Sequence, residues 1–340
     1  MARRRILTRR PTSYTPSNHI ELEEPISEED LLHLLSNPRN GFCSQDKNKV
    51  LVSLDYSGQE ARIAAVLSQD PAMVTAHLAP SKLKRADGTE YVNPAADLHL
   101  LSSATCTHPH LIEGIPEDKW YEILTEVQPG AKVKPRNVGK VLNFSMLYLS
   151  SAKSISERNH VKLADAEQWV KNHQTTYSGY YEWAEEYGNI AASRGFARIP
   201  YSHSLRWVLE ERSGGRDGDS AVRSSVNAAI QSTAAVQTKQ SMVLIQNLID
   251  EGGLPDAEIV GQCHDEILMY LPGTAEIDWE ECDIKDGLIK ELAFSHSDQA
   301  EKYTLNVLKI MEDVQTKMFR DLGSAIKGAC SYSIAPVWAH

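Results

Sequence analysis

The sequence has no apolar run of membrane-spanning length, and its basic start lacks the apolar segment of a secretory signal. Nothing in it therefore calls for a membrane partner. Cysteine is sparse: Cys43, Cys106, Cys263, Cys282 and Cys330 are scattered, without any CxxC spacing. An odd, dispersed set argues against a disulfide framework and against a zinc site, and leads to an expectation of reduced thiols in a cytoplasmic setting. No internal repeat is present, which removes the solenoid architectures. A positive excess is also missing. The net charge is −11, which for the chain as a whole argues against general nucleic-acid binding. What remains is ordinary: 340 residues, 41% hydrophobic and 24% charged, enough for a large core and two subdomains.

The charge is unevenly spread. Arg3, Arg4, Arg5, Arg9 and Arg10 make the start basic. Lys132, Lys134, Arg136, Lys140, Lys153, Arg158 and Lys162 face the single acid Glu157 in their stretch. Acids gather at 21–30, 181–186, 209–219 and 275–291. A basic run is commonly a solvated face; on an acidic background it also leaves room for a local phosphate-binding surface.

Residues 132–151 read as a helix. Pro135 suits a first turn, where a missing N–H costs nothing. Val138, Val141, Leu142 and Leu147 supply an apolar stripe. Arg136, Lys140, Phe144 and Tyr148 recur every four residues and so share one ridge. Two cations followed by two aromatics offer charge for a triphosphate and a flat surface for a base. The same spacing also fits an amphipathic core helix with a basic edge.

Around that helix the pattern predicts an extended basic arm over 1–20, a short helix over 26–37, and a strand over 50–54 ending at Asp55. A helix follows to about Ser68, and a short one runs over 97–106 with Asp97 and His99 near its start. Residues 164–193 read as helical, 195–208 as a hairpin or irregular crossing, and 213–219 as a glycine-rich loop. One long helix is expected over 220–248, with Arg223, Asn227 and Gln231 four residues apart. A strand-like stretch over 259–271 is interrupted by His264-Asp265-Glu266. Further helices are expected over 276–294 and 304–326.

Asp55 closes one apolar strand and Asp265 interrupts another. If the strands are neighbours, two carboxylates share a partly buried place and repel, and a divalent cation relieves that repulsion. Magnesium takes oxygen ligands, often one or two carboxylates plus substrate phosphates. The alternative is that both are strand-end or turn residues, which is common.

Taken together, these segments resemble the DNA polymerase I family, family A. Residues 55–62, Asp-Tyr-Ser-Gly-Gln-Glu-Ala-Arg, resemble its motif A, and Arg136-x3-Lys140-x3-Phe144-x3-Tyr148 its motif B. His264-Asp265-Glu266 resembles motif C, Arg223-x3-Asn227-x3-Gln231 the primer–template helix, and Asp97-Leu98-His99 the element that follows motif A. All five stand in family order. The resemblance covers about 45–340. It implies a mixed α+β fold: a right-hand polymerase palm built on an antiparallel sheet, with a helical fingers subdomain and no thumb or exonuclease domain in this chain. The expected layout is a basic arm and palm entry over 1–45, palm with motif A over 46–110, fingers over 111–215, and palm with motif C over 216–340.

The implied activity is template-directed transfer of dNTPs to a primer 3′-hydroxyl, with two Mg2+ ions held by Asp55, Asp265 and the Tyr56 carbonyl. Glu266 is implied close by. Arg136, Lys140 and His99 are implied at the triphosphate, with Lys140 also placed to protonate the leaving pyrophosphate. Phe144 and Tyr148 are implied at the base and templating position, and Glu60 as a steric gate against a 2′-hydroxyl. Arg223, Asn227, Gln231 and His264 are implied on primer–template DNA. The sequence departs from the family at Ser145 and Leu149, where glycine is usual, and at Cys263, usually apolar. Motif A begins only at residue 55. The expectation is therefore either a fragment of a longer polymerase or, the preferred reading, one half of a split polymerase, as in some bacteriophages, working with a separate chain that carries thumb and 3′–5′ exonuclease. Two other readings are an idle DNA-binding or scaffold subunit and a single-subunit RNA polymerase, the latter disfavoured by Glu60.

Overall fold

The computed structural model describes residues 44, 46–85, 87–209, 219–278, 293–335 and 338, with short strand segments at 6–7, 21–22, 283–285 and 288–291. The expected helix over 26–37, the arginines of the arm and the loop over 213–218 lie outside these residues. Two short strands, β1 (Ile6–Leu7) and β2 (Glu21–Leu22), pair antiparallel. β3 (Lys49–Tyr56) is followed by α1 (Gln59–Ser68) and α2 (Pro71–Leu78). β4 (Lys82–Lys84) pairs with β5 (Glu90–Val92). α3 (Leu98–Ser102) widens into a π-turn over Ser103–Thr107. Next come α4 (Trp120–Thr125), α5 (Pro135–Leu147), α6 (Ala152–Asn159), α7 (Leu163–Thr176) and α8 (Ser178–Arg194). β6 (Phe196–Arg198) and β7 (Leu205–Trp207) form the hairpin expected over 195–208. The long helix is α9 (Asp219–Asp250), followed by β8 (Glu258–Cys263) and β9 (Glu266–Pro272).

The helix expected over 276–294 is not formed. The described residues there are β10 (Ala275–Ile277), β11 (Asp283–Lys285), β12 (Leu288–Glu291) and β13 (Phe294–His296). β11 pairs with β12 and β10 with β13. The overlooked signal is Asp286-Gly287, a dipeptide that favours two-residue hairpins over helix. The chain continues as α10 (Asp298–Asp321) and β14 (Cys330–Ala335). No helix among the described residues is long and apolar enough to cross a membrane.

The chain divides into two compact units. The first comprises Met1–Ser57, Gln237–Gln315 and Gly328–His340. Its four-stranded sheet has the order β14-β3-β9-β8, with every neighbouring pair antiparallel. Strand side chains alternate between faces. Val50, Val52, Leu54 and Tyr56 of β3, with Ile267, Met269 and Leu271 of β9, line one face and pack on Ala300, Val307 and Met311 of α10 and Ile245 of α9. β3 is buried on both faces almost throughout, which is why apolar residues dominate it, with Ser53 the polar exception between Val50 and Leu54. Each fully buried Leu or Ile here is worth about 2 kcal/mol, so the sheet face outweighs the isolated polar groups beside it.

The second unit comprises Gly58–Val236 and Thr316–Lys327. Its main core joins Ile63, Ala64 and Val66 of α1, Tyr177 beside Tyr180 and Ala184 of α8, and Val226 and Ile230 of α9. A smaller cluster, Cys106, Leu142, Met146, Ile155 and Ala166, seats the inner stripe of α5. Gly58 enters α1 with φ 61, a left-handed backbone that glycine adopts without a Cβ clash.

Candidate active site

In the first unit, register brings the acids together. Asp55 is the partner of Glu266 across β3 and β9, and of Ser331 across β3 and β14, while Glu266 is the partner of Cys263 on β8. Directly opposed residues share a face, so Ser331, Asp55, Glu266 and Cys263 form one row across the sheet. This row lies on the face opposite the helix-packed one. Asp265 occupies the turn between β8 and β9, and its carbonyl accepts a hydrogen bond of 3.3 Å from the Tyr56 N–H. Acids about two hundred residues apart in sequence thus meet at one end of a central strand pair.

Glu266 in this row, and Tyr56 and His264 beside it, are each held by further contacts. Glu266 is 4% exposed, and its Oε1 accepts from the Ser53 hydroxyl and, at 2.7 Å, from Trp338 Nε1. The two donors satisfy a buried carboxylate that would otherwise be costly. The Tyr56 ring is buried, with its hydroxyl 2.6 Å from Ser241 Oγ, and burial raises its pKa above the usual phenol range. That anchor fixes the backbone beside Asp55. His264 opens the turn at φ 54, a left-handed conformation that histidine tolerates better than most residues, and its carbonyl accepts from Gln262 Nε2 at 2.7 Å.

The donor set here is two carboxylates, a nearby third, and backbone carbonyls. Among the described residues no group of three or more His, Cys, Asp or Glu side chains is arranged to hold a metal ion by itself. Hard oxygen donors short of a closed set fit magnesium, which keeps waters and takes substrate phosphates in its remaining positions.

In the second unit, α5 carries Arg136, Lys140 and Phe144, and Tyr148 is its C-cap. Lys140 is exposed, with Nζ 5.9 Å from the centre of the Phe144 ring, and Phe144 is 37% exposed. The His99 ring lies 5.9 Å from Phe144. Asp97 caps α3: its Oδ1 accepts from the His99 and Leu100 N–H groups, each at 3.0 Å. Its Oδ2 accepts from Arg136 Nε at 2.7 Å. One carboxylate therefore aims Arg136 and fixes the backbone of His99. Tyr148 donates to Glu60 Oε2, so the ridge and α1 are tied at their far ends.

Close approach of α5 to α3 depends on Gly139. A Cβ there would lie 2.8 Å from the Ser103 N and closer still to the His99 carbonyl. Leu149, one of the departures from the family pattern, has φ 50, the left-handed position that ends a helix. The Ser150 N–H returns to the Ser145 carbonyl at 3.1 Å, closing a Schellman turn. A left-handed leucine costs roughly 1–2 kcal/mol, and packing against the main core offsets it.

On α9, Arg223 and Asn227 are half-buried and Gln231 is exposed. Asn227 Oδ1 is buried without a hydrogen-bond partner. The residues that sequence reasoning passed over are Ser53, Trp338, Gly139 and Asn143. Gly139 alone carried a signal, since glycine inside a helix costs about 1 kcal/mol against alanine and calls for a packing reason.

An antiparallel sheet with acids on the face opposite its packed helices, and a helical unit bearing a cation–aromatic ridge, define a palm-and-fingers class of protein. The family model for DNA polymerase family A matches residues 117–296, just over half of the chain. The chain belongs to DNA polymerase family A. It is 26% identical over 233 residues to DNA polymerase I of Pseudomonas aeruginosa, a match that takes in 68% of this chain and 22% of that protein. Against the DNA polymerase of Mycobacterium phage D29 it is 26% identical over 227 residues, 67% of this chain and 30% of that one. The chain thus spans less than a third of the length of these curated relatives. The POL domain of Pol1 from M. smegmatis, solved in complex with DNA primer-template and dNTP, shares its fold with a TM-score of 0.61 at 19% identity, over 88% of this chain and 42% of that one.

Proposed function

We propose that this chain is the polymerising part of a template-directed DNA polymerase, extending a primer 3′-hydroxyl with dNTPs and releasing pyrophosphate. The observation that carries the reading is the acid row, in which the pairing of β3 with β9 sets Asp55 opposite Glu266 beside the Asp265 turn. Asp55, Asp265 and the Tyr56 carbonyl would hold two magnesium ions, which supply activation of the attacking hydroxyl and charge neutralisation at the phosphates. The chain's own groups do the rest. Arg136 and Lys140 bind the triphosphate, and Lys140 gives a proton to the departing pyrophosphate oxygen. Phe144 offers the exposed ring on which the incoming base or sugar stacks, and Tyr148 guards the templating position. Glu60, oriented by Tyr148, crowds a 2′-hydroxyl. His99 donates to a phosphate oxygen. Arg223, Asn227, Gln231 and His264 bind primer–template DNA, and the unpartnered Asn227 Oδ1 supports a polar partner there.

In this reading residues 1–45 are palm entry, 46–110 and 216–340 palm, and 111–215 fingers, and the enzyme acts in the cytoplasm. A second chain carrying thumb and 3′–5′ exonuclease completes it. Isolation from its host always alone, yet with processive synthesis, would exclude that partner. Primer extension with magnesium is the central test. Wild type extends; Asp55→Asn and Asp265→Asn each fall by about 10³-fold or more. Extension by either variant at the wild-type rate removes the metal assignment, and no extension by wild type with a full set of dNTPs favours an idle scaffold.

A further inference from the structure

A buried polar network runs behind the ridge of α5, and its hub is Asn143, 3% exposed. Its amide can be oriented without ambiguity. Asn143 Nδ2 lies 3.1 Å from the Leu98 carbonyl, which only accepts, so Nδ2 is correctly the donor end. The same Nδ2 is 3.0 Å from His99 Nδ1. Asn143 Oδ1 faces two donors, the Ser102 hydroxyl at 2.6 Å and His173 Nε2 at 3.0 Å. His173 Nδ1 in turn lies 2.9 Å from the Tyr181 hydroxyl, and the Tyr177 hydroxyl lies 2.6 Å from Ser102 Oγ.

The protons of this network can now be placed, the Tyr177 hydroxyl also lying 3.4 Å from the Leu98 carbonyl. Ser102 donates to Asn143, so its oxygen accepts from Tyr177. His173 donates from Nε2, so Nδ1 accepts from Tyr181. Asn143 donates to His99 Nδ1, so the single proton of a neutral His99 sits on Nε2. Among the described residues Nε2 of His99 has no hydrogen-bonded partner, and His99 is half-buried rather than enclosed. The ring stands on the side of the ridge that carries Arg136, Lys140 and Phe144.

We propose that Asn143 is a positioning residue that locks His99 as an Nε2–H donor aimed at a phosphate oxygen of the incoming nucleotide, with His173 and Tyr181 fixing the direction of Asn143. The nucleotide half of this inference rests on the polymerase reading; the tautomer half does not. Burial holds both histidines neutral: it lowers the pKa of His173 to about 3 and that of His99 to about 4, the latter with Arg136 and Lys140 adding to the shift and Asp97 opposing it. A neutral donor adds direction to the site without adding charge where two cations already stand. The other neutral tautomer, Nδ1–H, would present the Nε2 lone pair to the phosphate.

The test uses the full chain and needs no activity for its first arm. Nitrogen-15 chemical shifts of the histidine rings, assigned with His99→Gln, report the tautomer of His99 at pH 7. The Nε2–H form is expected; the Nδ1–H form overturns the inference. In the second arm inorganic tripolyphosphate with magnesium is titrated into wild type, Asn143→Asp and Tyr181→Phe. Asn143→Asp turns the donor into an acceptor, so His99 is expected to switch to Nδ1–H or take a second proton, and tripolyphosphate affinity to change by about tenfold. Tyr181→Phe keeps the packing and is expected to weaken affinity by a few-fold, which serves if Asn143→Asp does not fold. Unchanged affinity and unchanged His99 shifts in both variants overturn the positioning role. In primer extension the loss is expected in KM for dNTP rather than in kcat. Should wild type extend no primer and yet keep the Nε2–H form and bind tripolyphosphate, the polymerase reading falls and the wiring of His99 stands.

Discussion

In the first unit the acidic groups sit at 55, 265 and 266 and meet only because β3 pairs with β9 in one register. In the second, Arg136, Lys140, Phe144 and Tyr148 are kept in line by helical pitch along α5. Glu266 is backed by two donors, the buried Ser53 and the half-buried Trp338. The ridge exposes Lys140 and Phe144 and is supported by the half-buried Asp97 at Arg136 and the buried Asn143 at His99. A one-residue slip of β9 against β3 would take Glu266 out of register with Asp55 and to the other face, whereas a helix with the same sequence cannot lose its ridge. The acid row is therefore fragile to changes far from it in sequence, and the ridge to changes in the shell that aims it.

The largest effect that sharpens this contrast is loss of aim. Arg136→Ala is expected to lower kcat/KM for dNTP by about 10²–10³-fold, as removing a preorganised cation does. Asp97→Asn, which weakens the pairing and keeps the cap, is expected to lower it by about tenfold; steady-state primer extension reads both. An Asp97→Asn rate equal to wild type would show that Arg136 aims itself.

Acid is the next lever, and it acts on the second unit. His77, His99 and His173 are held neutral chiefly by burial, with pKa lowered to about 3, 4 and 3. A histidine whose folded pKa lies below its unfolded one stabilises the fold above the unfolded value, near pH 6.5. That contribution is lost as pH falls from there to the folded value. From pH 7 to pH 5 each is expected to cost up to about 2 kcal/mol. Denaturant midpoints at the two pH values check this, and His173→Gln should shrink the difference. No histidine of comparable depth backs the acid row among the described residues, so the probe for this loss is a reporter in α5 or α7 rather than in the sheet.

Smaller is the loss on removing the anchor beside Asp55. Tyr56→Phe leaves Ser241 without its 2.6 Å partner and is expected to cost about 1–2 kcal/mol in chemical denaturation. A drop in extension rate larger than the loss in folded fraction would show that the anchor also holds Asp55 in place. The smallest effect is at the turn. His264→Gly removes a left-handed non-glycine residue whose side chain is exposed, and is expected to raise stability by less than about 1 kcal/mol while weakening primer–template binding. A gain in both would separate His264 from DNA.

Much of this was legible beforehand, for reasons particular to each element. The β3 strand was legible because it is buried on both faces and so is mostly apolar, with Ser53 alone interrupting Val50 to Leu54. The α5 ridge was legible because Arg136, Lys140, Phe144 and Tyr148 recur at the pitch of the helix. Asp97 drew notice only through its place beside His99, and its double duty as cap and as partner of Arg136 needed coordinates. The stretch over 276–294 was misread because its acidic and apolar residues mimic helical spacing while Asp286-Gly287 points to a turn.

By itself the sequence determined the identities and local order of the candidate groups: acids at strand ends, and cations then aromatics on one helical face. The tertiary structure alone decided that Asp55 stands across from Glu266, that Trp338 reaches back to the same carboxylate, and that one amide, Asn143, sets the proton of His99. Helical neighbours are fixed within a turn or two by covalent connection and pitch, so spacing is enough to find them. Partners in a sheet or a buried network are chosen among all residues in the chain by burial and by the need to satisfy every polar group, and no local pattern records that choice.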